Sequence, residues 1–241
     1  MVKSMLIADL HLSGERSATV ELFLRFLRDA ACNSQRLYIL GDLFDVWIGD
    51  DDKSEPIPQI LTALGNYAAR DKELFLIRGN RDFLIGEGFC RETGCALLQD
   101  TAVVNLSGQA TLLMHGDLLV TDDLEYQRER IRLRSASFKQ EFLSKPLSER
   151  HMLATEMREQ SMRAKSNLSD NIMDVNETTV IEYMRKHGAW QLVHGHTHRP
   201  DTHDLRLDGR PAKRIVLGDW ADDRGPYLVD HGDGLESMVF R

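Results

Sequence analysis

Only three of the 241 residues are cysteines, Cys32, Cys90 and Cys95. They form no CxxC pair and leave an odd count, which excludes a disulfide framework and a cysteine-built zinc knuckle and leaves them as packing residues. No apolar run approaches the roughly 18–20 residues that a membrane-spanning helix needs. The opening MVKSMLIADLH runs straight into a strand-like segment and lacks the apolar stretch and cleavage site of a secretory leader, so a cytoplasmic location is expected. Positive charge is also short: 30 Lys and Arg stand against 38 Asp and Glu, a formal net charge of −8. That balance opposes wholesale nucleic-acid binding, and no nucleic-acid partner is expected. Part of the acidity, Asp50, Asp51 and Asp52, reads as a solvated loop. Neither an internal repeat nor a low-complexity tract is present. What remains is an ordinary soluble composition, 42% hydrophobic and 28% charged, in a chain long enough to bury one full core with an insertion.

Short apolar runs at Met5–Ala8, Leu37–Leu40, Leu74–Ile77, Thr111–Met114 and Gln191–Val193 predict strands buried on both faces. Between the first two, Val20, Phe23, Leu24, Leu27 and Ala31 fall on one helical face. A second helix is predicted around Ile60–Ala69. A third lies in NETTVIEYMRKHG, capped by Asn176 and closed by Gly188. Strands alternating with helices imply a layered α/β domain. Toward the end, a hairpin is predicted across Asp208-Gly209, and a further strand pair near Tyr227–Val229 and Leu235–Phe240.

Residues 122–174 break this alternation. They hold no strand-like run, and Arg128–Lys165 carries ten Lys and Arg against five Asp and Glu. Helical spacing of Phe138 with Phe142 and of Leu153 with Met157 predicts two or more helices. The expected organisation is therefore a core of residues 1–121 and 175–241 with a helical insertion at 122–174. The insertion reads as a cap that offers cationic and apolar contacts to an anionic, greasy ligand; the alternative is a purely structural hairpin.

Five segments carry chemistry: ADLH (Asp9, His11), GDLFD (Asp42, Asp45), GNRD (Asn80, Arg81, Asp82), HGD (His115, Asp117) and HGHTH (His194, His196, His198). Four directly follow an apolar strand, and ligands at the carboxyl ends of neighbouring strands converge in one crevice. Two divalent cations about 3.5–4 Å apart need an anionic bridge and several further donors. Asp42 suits the bridge. Asp9, His11 and His198 would complete one site, and Asn80, His115 and His196 the other. Alternate residues of an extended segment point the same way, which would bring Asp9 with His11, and His196 with His198, toward a common centre. Imidazole, carboxylate and amide oxygen without thiolate suit Mn, Fe or Zn.

These five segments resemble the metal signature of the calcineurin-like metallophosphoesterases. The resemblance implies a four-layer αββα sandwich, two metals and a nucleophile drawn from metal-held water. Most members carry GNH[ED], whose histidine assists catalysis; here Arg81 stands in its place. Arg81 and the strings LYILGDLFDVWIGDD, GNRDFLIG, LLMHGDLLVTDD, IMDVN and HGHTHRP resemble the bacterial branch of that family that acts on a UDP-linked diacylglucosamine in lipid A biosynthesis. The resemblance covers nearly the whole chain, insertion included. It implies Mn-dependent cleavage of a pyrophosphate by two Mn²⁺ per chain, other divalent metals being possible. It further implies catalytic roles for Asn80, Arg81 and His115, and substrate contacts from Asn80, Arg81, Asp123, Ser161 and His196. Enteric members of the branch have Asn and Lys where this chain has Lys165 and Leu168, the two remaining candidate substrate positions.

Arg81 offers an always-charged fork to a pyrophosphate; the alternative is a salt bridge to Asp82 or Asp45. Trp47 and Phe83 read as core or cleft-wall residues. The cationic insertion, with Phe138, Phe142, Leu143, Met152 and Met157, would lie on the cytoplasmic face of the inner membrane as a peripheral attachment, or those apolar residues would line an acyl-chain chamber or pack the helices. A monomer is expected. Two competing functions are another phosphoesterase of the same fold and a non-catalytic scaffold, the latter disfavoured because all seven ligand positions hold competent donors.

Overall fold

The predicted apolar runs become strands whose alternate residues face two different layers. The computed structural model describes residues 2–165 and 174–241, with the side chains of 162–165 outside the description. In chain order the elements are β1 (Val2–Ile7), α1 (Ser17–Asp29), β2 (Ser34–Leu40), α2 (Ile57–Ala68), β3 (Glu73–Ile77), α3 (Glu87–Thr93), β4 (Ala96–Leu97), β5 (Thr101–Leu106) and β6 (Gln109–Met114). There follow α4 (Leu124–Arg134), α5 (Ala136–Leu143), α6 (Leu147–Lys165), α7 (Glu177–His187), β7 (Gln191–His194), β8 (Asp201–Leu207), β9 (Arg210–Val216), β10 (Gly225–Asp230) and β11 (Leu235–Phe240).

One sheet runs β11-β10-β1-β2-β3-β4 and the other β5-β6-β7-β9-β8. The inner strands of each are parallel, with β10 and β11 antiparallel on one edge and β5 and β8 antiparallel on the edges of the other. In β1, Met5 and Ile7 pack with Phe23 and Phe26 of α1, whereas Leu6 packs toward Leu113 of β6 and Val193 of β7. On the far side of the second sheet, Leu112 and Leu192 meet Val180 and Met184 of α7. Helices, two mixed sheets and a helix thus stack in the expected four layers. The hairpin turn falls at Asp208 and Gly209, both with positive φ, as a type I′ turn requires. The short α3, β4 and β5 were not legible in the apolar pattern; β5 is mostly half-exposed and its apolar run, Ala102–Val104, is short.

Between β6 and α7 the chain forms three helices, α4 to α6. Asp123 caps α4 by accepting from the Tyr126 amide at 2.9 Å, and Ser135 caps α5 by accepting from Phe138 at 3.2 Å. Phe138 and Phe142 stack at 5.6 Å. Phe142, Leu133, Leu147 and Leu153 join the same apolar cluster as α1 and α2. The insertion is therefore seated on the main core.

The acidic run corrects one expectation in part: Asp51 is exposed, but Asp50 is half-buried, Asp52 is buried, and the run makes specific contacts instead of lying as a purely solvated loop. Asp50 accepts from the Gly86 and Gly88 amides at the start of α3. Asp51 pairs with Arg150 of α6, whose guanidinium is buried and also donates to the Ile48 and Lys145 carbonyls. Asp52 is itself buried. The run fastens the insertion to the core, through partners that lie too far along the chain to be seen in sequence.

Candidate metal centre

The five motif loops leave the strand ends at one edge of the two sheets. Asp9, His11, Asp42, His196 and His198 all have positive φ, between 49° and 69°. Asp, Asn and His tolerate this left-handed region better than most residues, and its recurrence at a single site marks a functional constraint. It also corrects the expected geometry. Asp9 and His11 follow β1 with left-handed backbone at both positions, not on a regular extended segment. His196 and His198 diverge to two different clusters.

Two glycines make room for the carboxylates. A β-carbon at Gly79 would stand 2.0 Å from Asp42 Oδ1, and one at Gly195 would stand 2.1 Å from Asp9 Oδ2. In their absence Asp42 Oδ1 accepts from the Arg81 amide and Asp9 Oδ2 from the His196 amide, each at 2.8 Å. Asp82 holds the adjoining turns by accepting from Gly79 at 2.7 Å and Leu43 at 2.8 Å.

One cluster joins Asp9, His11 and His198: the two Nε2 atoms lie 3.2 Å apart, and Asp9 Oδ1 is 3.5 Å from His198 Nε2. The other joins Asn80, His115 and His196, with Asn80 Oδ1 3.0 Å from His115 Nε2 and 2.9 Å from His196 Nδ1. Asp42 lies between them, one oxygen 3.9 Å from His11 Nδ1 and the other 3.7 Å from His115 Nε2. Asp9 is shared as well, since its donors also group with Asp42 and His115.

This donor set fits divalent cations. Among the described residues Asp9 Oδ1 and His11 Nδ1 are buried without a hydrogen-bond partner, which is costly unless a ligand completes them. His115 Nδ1 donates to the Leu40 carbonyl at 2.9 Å, so in the neutral ring Nε2 presents a lone pair toward another acceptor, Asn80 Oδ1. Electrostatics agree. Burial, reinforced by Asp82 and Asp9, pushes the Asp42 carboxyl up to about 7, the mark of a site short of positive charge. Burial takes His11 down to about 3, leaving its imidazole neutral and ready to ligate. Burial also opposes charge on His115, yet Asp42, Asp9 and Asp117 outweigh it and raise that histidine.

Two cavities meet here. A polar one of about 380 Å³ is lined by His11, Asp42, Asn80, His196 and His198, together with Arg16, Tyr126, Arg158 and Arg199. A larger one of about 590 Å³ lies between core and insertion, walled by Trp47, Phe83, Leu133, Phe138, Phe142 and Met157. Asp45, Asn80, Arg81, Asp123, Tyr126 and Arg158 border both. Of the predicted substrate residues, Asn80, Arg81, Asp123 and His196 surround the junction or the polar cavity, and exposed Ser161 borders the larger one. The side chain of Lys165 and all of Leu168 lie outside the described residues. Trp47 and Phe83 are walls, and Trp47 also packs on Phe44 and Phe89.

The salt-bridge alternative for Arg81 finds no support among the described residues. Asp45 pairs with Arg158, and Asp82 is occupied by backbone amides. Tyr126, Arg158 and Arg16 were missed in the sequence. Arg16, for instance, holds the DLH segment by donating to the carbonyls of Leu10 and of Trp220, 204 residues away, and no local pattern announces that.

Residues 2–200 match the profile of the calcineurin-like phosphoesterases, and the chain belongs to that family. It is 47% identical over 237 residues to the UDP-2,3-diacylglucosamine hydrolase of Azotobacter vinelandii, covering 98% of each chain. To the UDP-2,3-diacylglucosamine hydrolase of Salmonella typhi it is 46% identical over the same length and shares. Among solved structures an archaeal phosphodiesterase matches over 98% of both chains with a TM-score of 0.50 at 10% identity, a likeness of fold alone.

Proposed function

We propose that the chain hydrolyses the pyrophosphate bond of UDP-2,3-diacylglucosamine to UMP and 2,3-diacylglucosamine 1-phosphate, a step of lipid A biosynthesis. The observation that carries this reading beyond phosphoester chemistry in general is the junction of an apolar chamber with the polar cavity at Asn80 and Arg81. A substrate with acyl chains at one end and a nucleotide pyrophosphate at the other needs both. Relatives with that activity in their names match the chain from end to end.

Two divalent cations, Mn²⁺ by preference, would be held by Asp9, His11 and His198 on one side and Asn80, His115 and His196 on the other, with Asp42 placed to serve both. When bound they neutralise phosphoryl charge and lower the pKa of water. The chain supplies the rest. Arg81, whose backbone is fixed through its amide and carbonyl, presents its guanidinium to the pyrophosphate. Asn80 and His196 orient the phosphoryl group from the metal side, and His115 is held in register by the Leu40 carbonyl. Asp123, with one oxygen committed to capping α4, turns the other to the substrate. Ser161 contacts the substrate from the insertion; the Lys165 side chain and Leu168, the two remaining candidate substrate positions, fall outside the described residues. Water adds at one phosphorus as the bond to the bridging oxygen breaks; the leaving phosphate takes the electron pair, and the proton lost by the water passes to that phosphate or to solvent.

The insertion, 122–174, acts as a cap over the core of 1–121 and 175–241. The greasy residues divide between two tasks. Phe138, Phe142 and Met157 line the chamber, whereas Leu124, Ile131, Leu143 and Met152 are 41–69% exposed. The latter, with the surplus Lys and Arg, rest on the anionic cytoplasmic face of the inner membrane. Among the described residues no helix is long and apolar enough to cross it.

The test is chelation followed by reconstitution. Stripped protein should be inactive on UDP-2,3-diacylglucosamine and recover with Mn²⁺, and His11→Ala and Asn80→Ala should each lose Mn²⁺-dependent turnover. Full activity in both variants would overturn the metal assignment.

A further inference from the structure

The turn that carries Asn80 and Arg81 is gripped at four backbone atoms. Asp82 holds the Gly79 amide, Asp42 holds the Arg81 amide, and the Trp47 amide donates to the Arg81 carbonyl. The fourth grip comes from outside the core. Arg134, at the last turn of α4, donates to the Gly79 carbonyl at 3.0 Å.

Arg134 is itself held. Its guanidinium also donates to Asp100 at 2.9 Å and to Asp117 at 3.2 Å. Arg130, one turn earlier, spans the same two carboxylates at 2.7 Å each. Asp117 is buried and lies two residues beyond His115. Two arginines and two aspartates therefore lock α4 against both the GNRD and HGD turns, the loops that supply Asn80 and His115. A guanidinium suits this post because it is always charged and reaches several acceptors in fixed directions. An ammonium could keep the charge but would not match the geometry.

We propose that Arg134 is a positioning residue for the metal cluster of Asn80, His115 and His196, so that the seating of the insertion sets the affinity of one cation and not of the other. Freed from Arg134, the Gly79 carbonyl loses its partner and the peptide leading into Asn80 can rotate. Among the described residues, the Asp9, His11 and His198 cluster has no link to α4 of this kind. Outer-shell partners of metal ligands typically govern affinity by about 10–100-fold. At one peptide's remove from Asn80, the lower end of that range is expected.

The inference rests on the two-cation reading, and the experiment separates the two. Free Mn²⁺ is followed by electron paramagnetic resonance during titration of the full-length chain, of Arg134→Gln, of Asn80→Ala and of the double variant, with Arg128→Gln, an exposed neighbour on α4, as control. The expected result is two sites in the parent and in the control, with one site weakened about tenfold in Arg134→Gln. That site should be the one lost in Asn80→Ala, and the double variant should bind no more weakly than Asn80→Ala alone, since effects through a shared group do not add. If Arg134→Gln does not fold, Arg134→Lys carries the test with a loss of about threefold or more at the same site. Equal weakening of both sites, or none, would overturn the role of Arg134. A parent that binds no Mn²⁺ would overturn the two-cation reading instead.

Discussion

Gly195→Ala adds one carbon at the most crowded point of the centre. Its β-carbon would stand 2.1 Å from Asp9 Oδ2 and 2.7 Å from the β-carbon of Ala8. Asp9 is fully buried, so it cannot swing toward solvent. To clear the overlap its carboxylate must turn away and give up the 2.8 Å bond from the His196 amide. Overpacking costs about 1–3 kcal/mol, and loss of a hydrogen bond to a charged group about 1.5–3 kcal/mol. Together they predict a destabilisation of about 2.5–6 kcal/mol in metal-free protein, a fall in melting temperature of roughly 5–24 °C for a chain of this size. Asp9 also contributes to both donor groups, so Mn²⁺ affinity should fall at both sites. The assay is a thermal melt in chelator, followed by Mn²⁺ titration at a temperature where the variant is folded. A variant that melts within about 2 °C of the parent, well below the smallest fall of about 5 °C that the estimate allows, and binds Mn²⁺ equally well would refute the packing argument.

Arg81→Lys should keep the backbone contacts and lose the fork, lowering kcat/KM on UDP-2,3-diacylglucosamine by about 10–100-fold with an unchanged melt; steady-state kinetics check this. Met157→Trp should fill the apolar chamber and raise KM for the diacyl substrate about tenfold or more, while bis(p-nitrophenyl) phosphate turnover stays within about twofold. Asp51 is held below the usual carboxylate range first by its hydrogen bond from Arg150. Its folded pKa is therefore the depressed one, and the stability it confers is present above the unfolded value of about 3.9 and fades as pH falls below it. Urea midpoints of the parent and Asp51→Asn should accordingly differ at pH 6 and converge as the pH is lowered past 3.9, about the unfolded pKa.

Much of the frame was legible because burial leaves a mark on adjacent residues. The apolar runs around Leu37 and Leu74 led to strands, and Asn176 and Gly188 bracket α7 as their side-chain chemistry suggests. The site was legible as a set of donors following strands. Its shape was not, because a DxH spacing is compatible with an extended segment and with the left-handed backbone that Asp9 and His11 adopt. Nor could spacing show that the acidic run is a fastening, since Asp51 and Arg150 stand 99 residues apart. Arg134 is hidden for the same reason: its partners Asp100, Asp117 and Gly79 come from three other segments.

Stripped protein should be offered UDP-2,3-diacylglucosamine and a bis(nucleosidyl) tetraphosphate in parallel, each with and without Mn²⁺. The account predicts Mn²⁺-dependent release of UMP and 2,3-diacylglucosamine 1-phosphate, with the tetraphosphate a poor substrate. Preference for the tetraphosphate, or lipid turnover indifferent to metal, would contradict it.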